Sequence, residues 1–360
     1  MRHGGVEQDK FVEAYLTEIK TVRSLTGARS VSSIFFGGGT PSLMDVSTVQ
    51  KLIDAVDAAW GIEQGAEITL EANPTSYESQ KFFDFKQVGI NRVSLGVQSL
   101  QDEALKWLGR QHSAKEAIEA VISARQIFDR VSFDLIYARQ NQSLEDWARE
   151  LKQAIAYHPD HLSLYQLTIE PGTAFHRLWQ AGSLTQVDDD IARAQFDLTQ
   201  EETEKAGLPA YEISNHAKLG EESRHNLIYW RGLDYAGIGP GAHGRIEVEG
   251  KRIATVAEKM PEAWVETVKK QGHGYIEETS LDKQEIADER LIMGLRLADG
   301  LNINRLKTNY GLIIDLKKIE HLFDLGFLTH TKNDYLCVTK IGRPVLNSLI
   351  CEVASASEYG

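Results

Sequence analysis

Three consecutive glycines mark the stretch of this sequence whose residue types most clearly indicate chemistry. Gly37–Gly39 follow the apolar run Ser33–Phe36 and precede Thr40, Pro41 and Ser42. Glycine has no Cβ, so it adopts positive φ angles and lets backbone N–H and C=O groups approach a ligand closely. The stretch therefore predicts either a backbone cradle for a polar ligand or a plain turn from a strand into a helix.

Four polar side chains end or interrupt the apolar runs that follow, or lie in the turns after them: Glu71, Gln98, Arg110 and Asp134. A carboxylate accepts hydrogen bonds from an amine or a ribose, and an arginine binds a carboxylate through two parallel hydrogen bonds. A charge inside an apolar strand, such as Asp134 in Val131–Tyr137, requires a partner. Each residue alone is more easily explained by a structural role. Together with the glycines they match the ammonium, carboxylate and ribose groups of S-adenosylmethionine.

The elements that must position these residues are five short apolar runs with helical patterns between them. The runs are Ser33–Phe36, Glu67–Glu71, Arg92–Val97, Val131–Tyr137 and His161–Ile169. This alternation predicts a parallel sheet with right-handed crossovers. The loops after the strands of a parallel barrel build its active site, and here each run ends in polar or glycine-rich sequence. Because eight strands are not visible, the sequence predicts an incomplete α/β barrel.

A second region is predicted from residue 251 to residue 360, after a first domain at residues 1–250. Helical patterns at Ile286–Ala298 and Ile313–Leu325 end near Gly300 and Gly326, which are typical helix stops. Asn333-Asp334 lies between two β-rich runs and predicts a hairpin. The region is therefore expected to be a small α+β domain similar to a winged helix.

The composition excludes several classes of protein. The chain of 360 residues has a formal net charge of −13, which argues against broad nucleic-acid binding. No apolar run approaches the ~20 residues that span a bilayer, and the first ten residues contain no signal-peptide core. The two cysteines, Cys337 and Cys351, match no metal motif and suit a reducing compartment. These features predict a cytoplasmic protein.

Several motifs resemble a known family along nearly the whole chain. GGGTPS, LEANP, RVSLGVQSL, FDLIYA and LYQLTIEPGT are similar to motifs of the oxygen-independent coproporphyrinogen III oxidases, which are radical SAM proteins. His225–Trp230, with the sequence HNLIYW, resembles the HNxxYW motif of the shorter branch of that family, the HemW heme chaperones. The resemblance implies a radical SAM partial barrel and two ligands, S-adenosylmethionine and heme.

The resemblance also implies which residues bind those ligands. For S-adenosylmethionine, the residues at the methionine amino group are Gly38, Gly39 and Thr40. The remainder of the cofactor is expected to contact Glu71, Gln98, Arg110 and Asp134, with Thr168 and His243 at the periphery. For heme they are His225, Asn226, Tyr229 and Trp230. Imidazole is a common axial ligand of heme iron, so His225 is the expected iron ligand. Judged from the residues alone, His225 is better explained as a buried histidine that bonds its neighbours, and only the resemblance makes heme binding an equal alternative.

The chain departs from the family at one decisive point. The family holds a [4Fe–4S] cluster with a CxxxCxxC motif after its first strand, whereas this chain has no cysteine before Cys337. The segment Arg2–Gly5 resembles the family sequence just after that motif, so the first strand is also expected to be missing. Either the start has been set downstream of the true one, or this is a cluster-free homologue. The DNA upstream of Met1 distinguishes them. We expect the cluster only in a full-length form.

A lesser departure is Ala138–Gln142, where the family carries Pro-Gly.

Three functions follow from these observations. The first is a heme chaperone that binds heme and transfers it to an unidentified acceptor protein. A membrane-associated protein is one alternative for this acceptor. The alternative is a radical SAM coproporphyrinogen III oxidase of porphyrin biosynthesis, which would be inactive without cluster cysteines. The third is a nucleic-acid-binding module built on the winged-helix-like tail, which the acidic charge disfavours. The sequence predicts no oligomeric state.

Overall fold

A computed structural model of the chain describes residues 8–359. The α-helices in this range are α1 Gln8–Thr26, α2 Val46–Trp60, α3 Ser76–Ser79, α4 Phe82–Gln87, α5 Asp102–Trp107, α6 Ala114–Ile127, α7 Leu144–Ile155, α8 Ala174–Gln180, α9 Asp189–Lys205, α10 Arg224–Trp230, α11 Pro261–Gln271, α12 Lys283–Gly294, α13 Ile303–Tyr310, α14 Glu320–Asp324 and α15 Leu346–Ser355. Short 3-10 helices cover Pro41–Leu43 and Arg343–Val345. The segment Arg2–Gly5, on which the comparison with the family's cluster loop depends, lies outside the described residues.

The strands in the same range follow the alternation expected from the sequence. They are β1 Val31–Phe36, β2 Ile62–Ala72, β3 Arg92–Gln98, β4 Arg130–Tyr137, β5 His161–Gln166, β6 Asn215–Ala217, β7 His243–Val248, β8 Lys251–Ala257, β9 Tyr275–Ser280, β10 Leu301–Asn302, β11 Leu312–Ile314, β12 Leu328–His330, β13 Tyr335–Val338 and β14 Ser357–Tyr359. The five predicted apolar runs correspond to β1–β5, although the last strand ends at Gln166 and not at Ile169.

A six-stranded sheet with the order β1-β2-β3-β4-β5-β6 carries the candidate residues. The pairs β2–β3, β3–β4 and β4–β5 are parallel, and the short β6 runs antiparallel to β5. Glu71 pairs with Ser94, Ser94 with Ser132, and Asp134 with Ser163. Because side chains alternate along a strand, this register places all of them on one face of the sheet.

The opposite face of the same strands forms the hydrophobic core. Leu70, Val93, Leu95 and Leu135 are fully buried there. Helices α6 and α7 supply further buried apolar side chains, and both begin with a capping box, at Ser113 and Ser143. A capping box pairs the first free N–H groups of a helix with side chains, so it fixes where each crossover helix starts.

The described chain forms two compact units. The first unit comprises residues 8–35, 44–68 and 224–359, and the second unit comprises residues 36–43 and 69–223. The predicted division at residues 250 and 251 falls in the turn between β7 and β8, where Val248 pairs with Lys251. That division stays a prediction.

The first unit contains a three-stranded antiparallel sheet, β7-β8-β9, and a core in which α1 meets α11. Ala14, Val22, Trp264 and Val268 are buried in this core. The carboxylate of Glu18 is also buried, and it accepts hydrogen bonds from Gly239 N at 2.7 Å, Gly274 N at 2.6 Å and Trp264 Nε1 at 3.4 Å. Three sequence-distant segments are thereby joined to one helix.

The last part of the first unit is the expected α+β arrangement of helices and a hairpin. Strands β12 and β13 pair as predicted around Asp334, whose φ is +61°. The predicted helix over Ile313–Leu325 is wrong in its first half, since β11 pairs with β14 there. Gly311 adopts a φ of +78° and ends α13, and the β-branched pair Ile313 and Ile314 then favours an extended strand.

None of the helices in the part of the chain that the structure describes combines the length and the apolar character required to cross a bilayer.

Candidate functional site

The glycine loop after β1 forms an open backbone surface in the second unit. Gly38 and Gly39 have φ angles of +79° and +65°, in the left-handed region that favours glycine. No atom lies within 4 Å of the position that a Cβ would take at either residue, so the space above the loop is open. Gly38 N donates to Glu71 Oε2 at 3.0 Å. The loop and the end of β2 are therefore in direct contact.

A buried carboxylate fixes the far side of this loop. Glu78 is 3% exposed and accepts hydrogen bonds from Asn73 N at 2.8 Å and from the Ser42 hydroxyl. Asn73 in turn donates from Nδ2 to Thr40 Oγ1 at 3.3 Å. The side chain of Thr40 is thus held by the segment that follows β2, and its backbone by a turn to Leu43 N at 3.2 Å.

Two carboxyl groups on the same sheet face have raised pKa values. Burial, opposed by the Gly38 N–H, raises the pKa of Glu71 above its usual range. Burial also raises the pKa of Asp134 to about 7, and the nearby Glu71 charge adds to this, whereas the Ser163 hydroxyl and the charges of Arg92 and Arg110 oppose it. Carboxyl groups near one another in a partly dehydrated place are suited to accept hydrogen bonds from a polar ligand.

The other predicted S-adenosylmethionine residues lie at or after the strand ends. Gln98 has a φ of +70° and is 9% exposed, and its Nε2 lies 3.2 Å from where a Cβ of Gly96 would be. Arg110 is exposed directly after Gly109, and Thr168 is exposed after β5. All the predicted residues except His243 belong to the second unit. His243 is exposed at the start of β7 in the first unit.

The second candidate site surrounds His225 near the start of α10, in the first unit. The His225 ring stacks on Phe35 with the ring centroids 4.8 Å apart and the planes at 10°. Its Nδ1 is 2.9 Å from Ser33 Oγ, and its Nε2 is hydrogen-bonded to the Tyr229 hydroxyl. Tyr229 packs edge-on against Tyr235, with the centroids 4.4 Å apart. We call these five residues the His225 cluster.

The start of α10 is held by a carboxylate from β2. Glu67 is 1% exposed and accepts from Arg224 N at 3.2 Å and His225 N at 3.0 Å. The free N–H groups at a helix start carry partial positive charge, so a buried carboxylate there is favourable. Arg224 Nη1 also donates to Gly65 O at 2.7 Å. These bonds fix the orientation of His225 relative to β2.

The remaining motif residues divide between two sides of α10. Residues four apart lie on the same side of a helix, which explains why His225 and Tyr229 meet. Trp230 is five positions from His225 and is rotated from it by roughly 140° about the helix axis. Trp230 lines a separate cavity of the first unit. Asn226 is half-buried on the same helix.

Sequence reasoning missed four members of this site: Tyr235, which follows α10, and Glu67, Ser33 and Phe35. The last three lie on β1 or β2, more than 150 residues before α10 along the chain, as the separation of 158 between Glu67 and His225 shows. The only signal in the sequence was a glutamate inside an apolar strand, the same signal that indicated Asp134. A [4Fe–4S] cluster has no thiolate set here, because Cys337 and Cys351 are the two cysteines of the chain and no group of three metal-binding side chains occurs within residues 8–359.

Comparison with known proteins defines the class to which this fold and site belong. Residues 10–154 match the Radical SAM superfamily, and residues 281–345 match the HemN C-terminal domain. The structure of coproporphyrinogen III oxidase HemN from Escherichia coli, a radical SAM enzyme, superposes with a TM-score of 0.80 at 21% identity, over 96% of this chain and 82% of that one. The molecule is therefore a radical SAM protein with a HemN-type C-terminal domain, and the predicted incomplete barrel is confirmed.

Relatives of known name narrow the family further. The chain is 38% identical to mouse radical S-adenosyl methionine domain-containing protein 1, mitochondrial, over 96% of this chain and 80% of the relative. It is 36% identical to the Escherichia coli heme chaperone HemW, over 96% of this chain and 90% of the relative. The HemW of Bacillus subtilis is 31% identical over 85% of this chain. The chain belongs to the HemW family of HemN-like radical SAM proteins, as its motifs predicted.

Proposed function

We propose that this protein is a heme chaperone that binds heme at the His225 cluster and passes it to an acceptor protein in the cytoplasm. The observation that carries this proposal is the pair of hydrogen bonds at the two nitrogens of His225. A neutral imidazole bears its proton on one nitrogen and a lone pair on the other. The proposal assigns the tautomer in which Nδ1–H donates to Ser33 Oγ, which leaves the lone pair on Nε2 and lets the Tyr229 hydroxyl donate to it.

A histidine that binds a metal through Nε2 requires this tautomer. Histidines that bind metals commonly donate their other ring N–H to an oxygen, which fixes the ring orientation and raises the basicity of the ligating nitrogen. Ser33 has this role in the proposal. Phe35 holds the ring plane from one side, at 4.8 Å between the centroids. Heme iron binds Nε2 after the Tyr229 hydroxyl turns away, so heme binding exchanges an internal hydrogen bond for an iron bond.

The second unit is proposed to bind S-adenosylmethionine. The open loop at Gly38 and Gly39, together with Thr40, would receive the amino group. Glu71, Gln98, Arg110, Asp134 and the peripheral Thr168 complete the proposed set in this unit, whereas His243, the other predicted contact, belongs to the first unit. Bound S-adenosylmethionine supplies the 5′-deoxyadenosyl group of radical SAM chemistry. The residues of this chain supply no cysteine ligands for a cluster at that site, so the role proposed for this unit is binding alone.

A heme titration of the purified chain tests the chaperone proposal. We expect a Soret absorption change in the wild type that reports iron bound to histidine. His225→Ala removes the ligand and is expected to weaken binding at least ~10-fold, which equals about 1.4 kcal/mol. His321→Ala is the matched control, because His321 is an exposed imidazole of α14 in the same unit. An unchanged affinity and spectrum in His225→Ala would contradict the proposal.

Transfer is tested separately from binding. The heme-loaded chain is mixed with an apo-protein that reports heme acquisition through its own spectrum, and the rate is compared with that of free heme. Tyr229→Phe removes the hydroxyl that competes for Nε2 and is expected to slow release. Release at the wild-type rate from Tyr229→Phe would show that the internal hydrogen bond has no part in transfer.

A further inference from the structure

A cavity of about 460 Å³ lies in the first unit beside the end of α10. Its walls include three aromatic side chains, Trp230, Tyr310 and Tyr335, and apolar side chains such as Leu297 and Leu301. Small-molecule sites usually measure roughly 300–1,000 Å³ and combine apolar walls with a few polar groups. The cavity therefore has the size and lining of a ligand site, and it does not contain His225.

The charged groups of this cavity are mainly cationic, although the chain as a whole has a net charge of −13. Arg231, Arg290 and Arg305 line it, whereas Asp299 is the one carboxylate among its lining residues. Asp299 reaches Arg231 at 3.6 Å, and both side chains are more than half exposed, so this ion pair is weak. A local excess of guanidinium groups in an acidic protein indicates an anionic ligand.

Arg290 is held in place, with part of its guanidinium left unsatisfied. Its Nη1 donates to Arg231 O at 2.7 Å, and its Cζ lies 5.6 Å from the Tyr310 ring centroid. Its Nε is buried and has no hydrogen-bond partner among the described residues. A buried donor without a partner is energetically unfavourable. Arg290 is therefore an ordered cation among the residues that line the cavity.

Arg305 is the more accessible cation of the cavity. It lies in the first turn of α13 and is exposed, and its backbone N–H is capped by Asn302 Oδ1 at 2.9 Å. The guanidinium and the start of the helix both favour negative charge at this place. Arg305 can therefore be changed with little effect on folding, which makes it the better test residue.

We propose that this cavity binds the carboxylate-bearing edge of a porphyrin, with Arg290 and Arg305 at the propionates and Trp230 against the macrocycle. This inference rests on the proposed heme function and assigns to the chain a second porphyrin site, separate from the His225 cluster, that recognises the organic part of the ligand independently of iron.

Metal-free protoporphyrin IX is the probe, because it carries both propionates and has no iron for His225 to bind. Its fluorescence is titrated with the full chain, with detergent present to keep the porphyrin monomeric. We expect saturable binding that Arg305→Gln weakens about 5- to 10-fold, in line with the loss of one charge-assisted hydrogen bond. Lys307→Gln is the matched control, since Lys307 is an exposed cation of α13 that does not line the cavity.

The outcomes separate this inference from the proposed function. Equal protoporphyrin affinity in wild type, Arg305→Gln and a folded Arg290→Gln variant would overturn the cavity assignment, as would no binding by the wild type. His225→Ala is expected to keep protoporphyrin affinity and to lose the iron signal with heme. If the arginine variants weaken protoporphyrin binding but His225→Ala leaves the heme spectrum unchanged, the cavity stands and the His225 site fails.

Discussion

The carboxyl group of Asp134 keeps its proton to about pH 7, mainly because burial disfavours its charge. The unfolded chain ionises the same group near its usual pKa of 3.8. The folded state therefore holds more protons than the unfolded state between these two values. Its stability consequently falls as the pH rises through that interval and levels off above pH 7.

Asp134→Asn removes this titration while it keeps a side chain of the same shape. We expect the variant to gain free energy of unfolding relative to wild type as the pH rises from 4 to 8, with a ceiling of about 4 kcal/mol for a pKa displaced by about three units. Urea unfolding at a series of pH values measures the difference. Asp54→Asn, at an exposed position of α2, is the control and is expected to show no such trend. A constant difference between wild type and Asp134→Asn would disprove the assignment.

At the scale of elements, α10 is the helix on which the proposed heme site depends. It has seven residues, from Arg224 to Trp230, which is too short to be stable by itself in water. Its position is fixed by the Glu67 carboxylate at its first N–H groups and by the stacking of His225 on Phe35. The orientation of the motif is thus set by β1 and β2.

Glu67→Ala tests this dependence. Loss of the cap is expected to lower the free energy of unfolding by about 1–2 kcal/mol, because two partly buried N–H groups at the start of α10 lose their acceptor. Heme affinity is expected to fall with it, although Glu67 makes no contact with heme in the proposal. Glu63→Ala, an exposed position of the same strand, is the control. Wild-type heme affinity in Glu67→Ala would show that α10 keeps its orientation without the cap.

Elements were predictable from the sequence where the signal was local. The apolar runs, the glycines after β1 and the turn at Asn333-Asp334 each identified an element within a few residues. The sheet of β7, β8 and β9 was missed, since its strands alternate weakly and β9 is largely exposed. The helix predicted over Ile313–Leu325 was wrong in its first half because the partner of β11 is β14, more than forty residues further along. Such pairing leaves no periodic trace in the sequence.

The residues of the candidate site were likewise predictable only where the signal in the sequence was local. Asp134 and Glu71 could be proposed from the sequence because a charge in an apolar strand is unusual in itself. The bonds from Ser33 and Glu67 to the region of His225 were not, since they join residues 192 and 158 positions apart. The place of Trp230 also required the structure, because the sequence does not show the cavity that it lines.

At the scale of the whole molecule, Glu18 connects parts of the first unit that are far apart in sequence. Its carboxylate receives hydrogen bonds from Gly239, Trp264 and Gly274, which are 221, 246 and 256 residues away. A Cβ at Gly274 would collide with the Trp264 ring, so this approach requires glycine. Burial raises the pKa of Glu18, and its N–H partners oppose that rise.

Glu18→Ala is expected to lower the free energy of unfolding by about 3 kcal/mol or more, because it leaves several buried donors without an acceptor. Glu13→Ala, an exposed position of α1, is the control and should change stability by less than ~0.5 kcal/mol. Chemical denaturation monitored by tryptophan fluorescence measures both, since Trp264 lies beside Glu18. A Glu18→Ala variant as stable as wild type would show that these contacts contribute little.

The bond between Tyr229 and Nε2 of His225 has a consequence for how long a cargo stays bound. A hydroxyl tethered four residues away is present at a high effective concentration, so it re-enters each time the iron bond opens. In the proposed function, the Tyr229 hydroxyl competes with heme iron for Nε2 of His225. It therefore shortens the residence time of heme and provides His225 with a hydrogen bond after heme leaves. Such a competing hydroxyl would weaken the retention of a permanent prosthetic group, whereas it favours release from a protein that delivers its ligand.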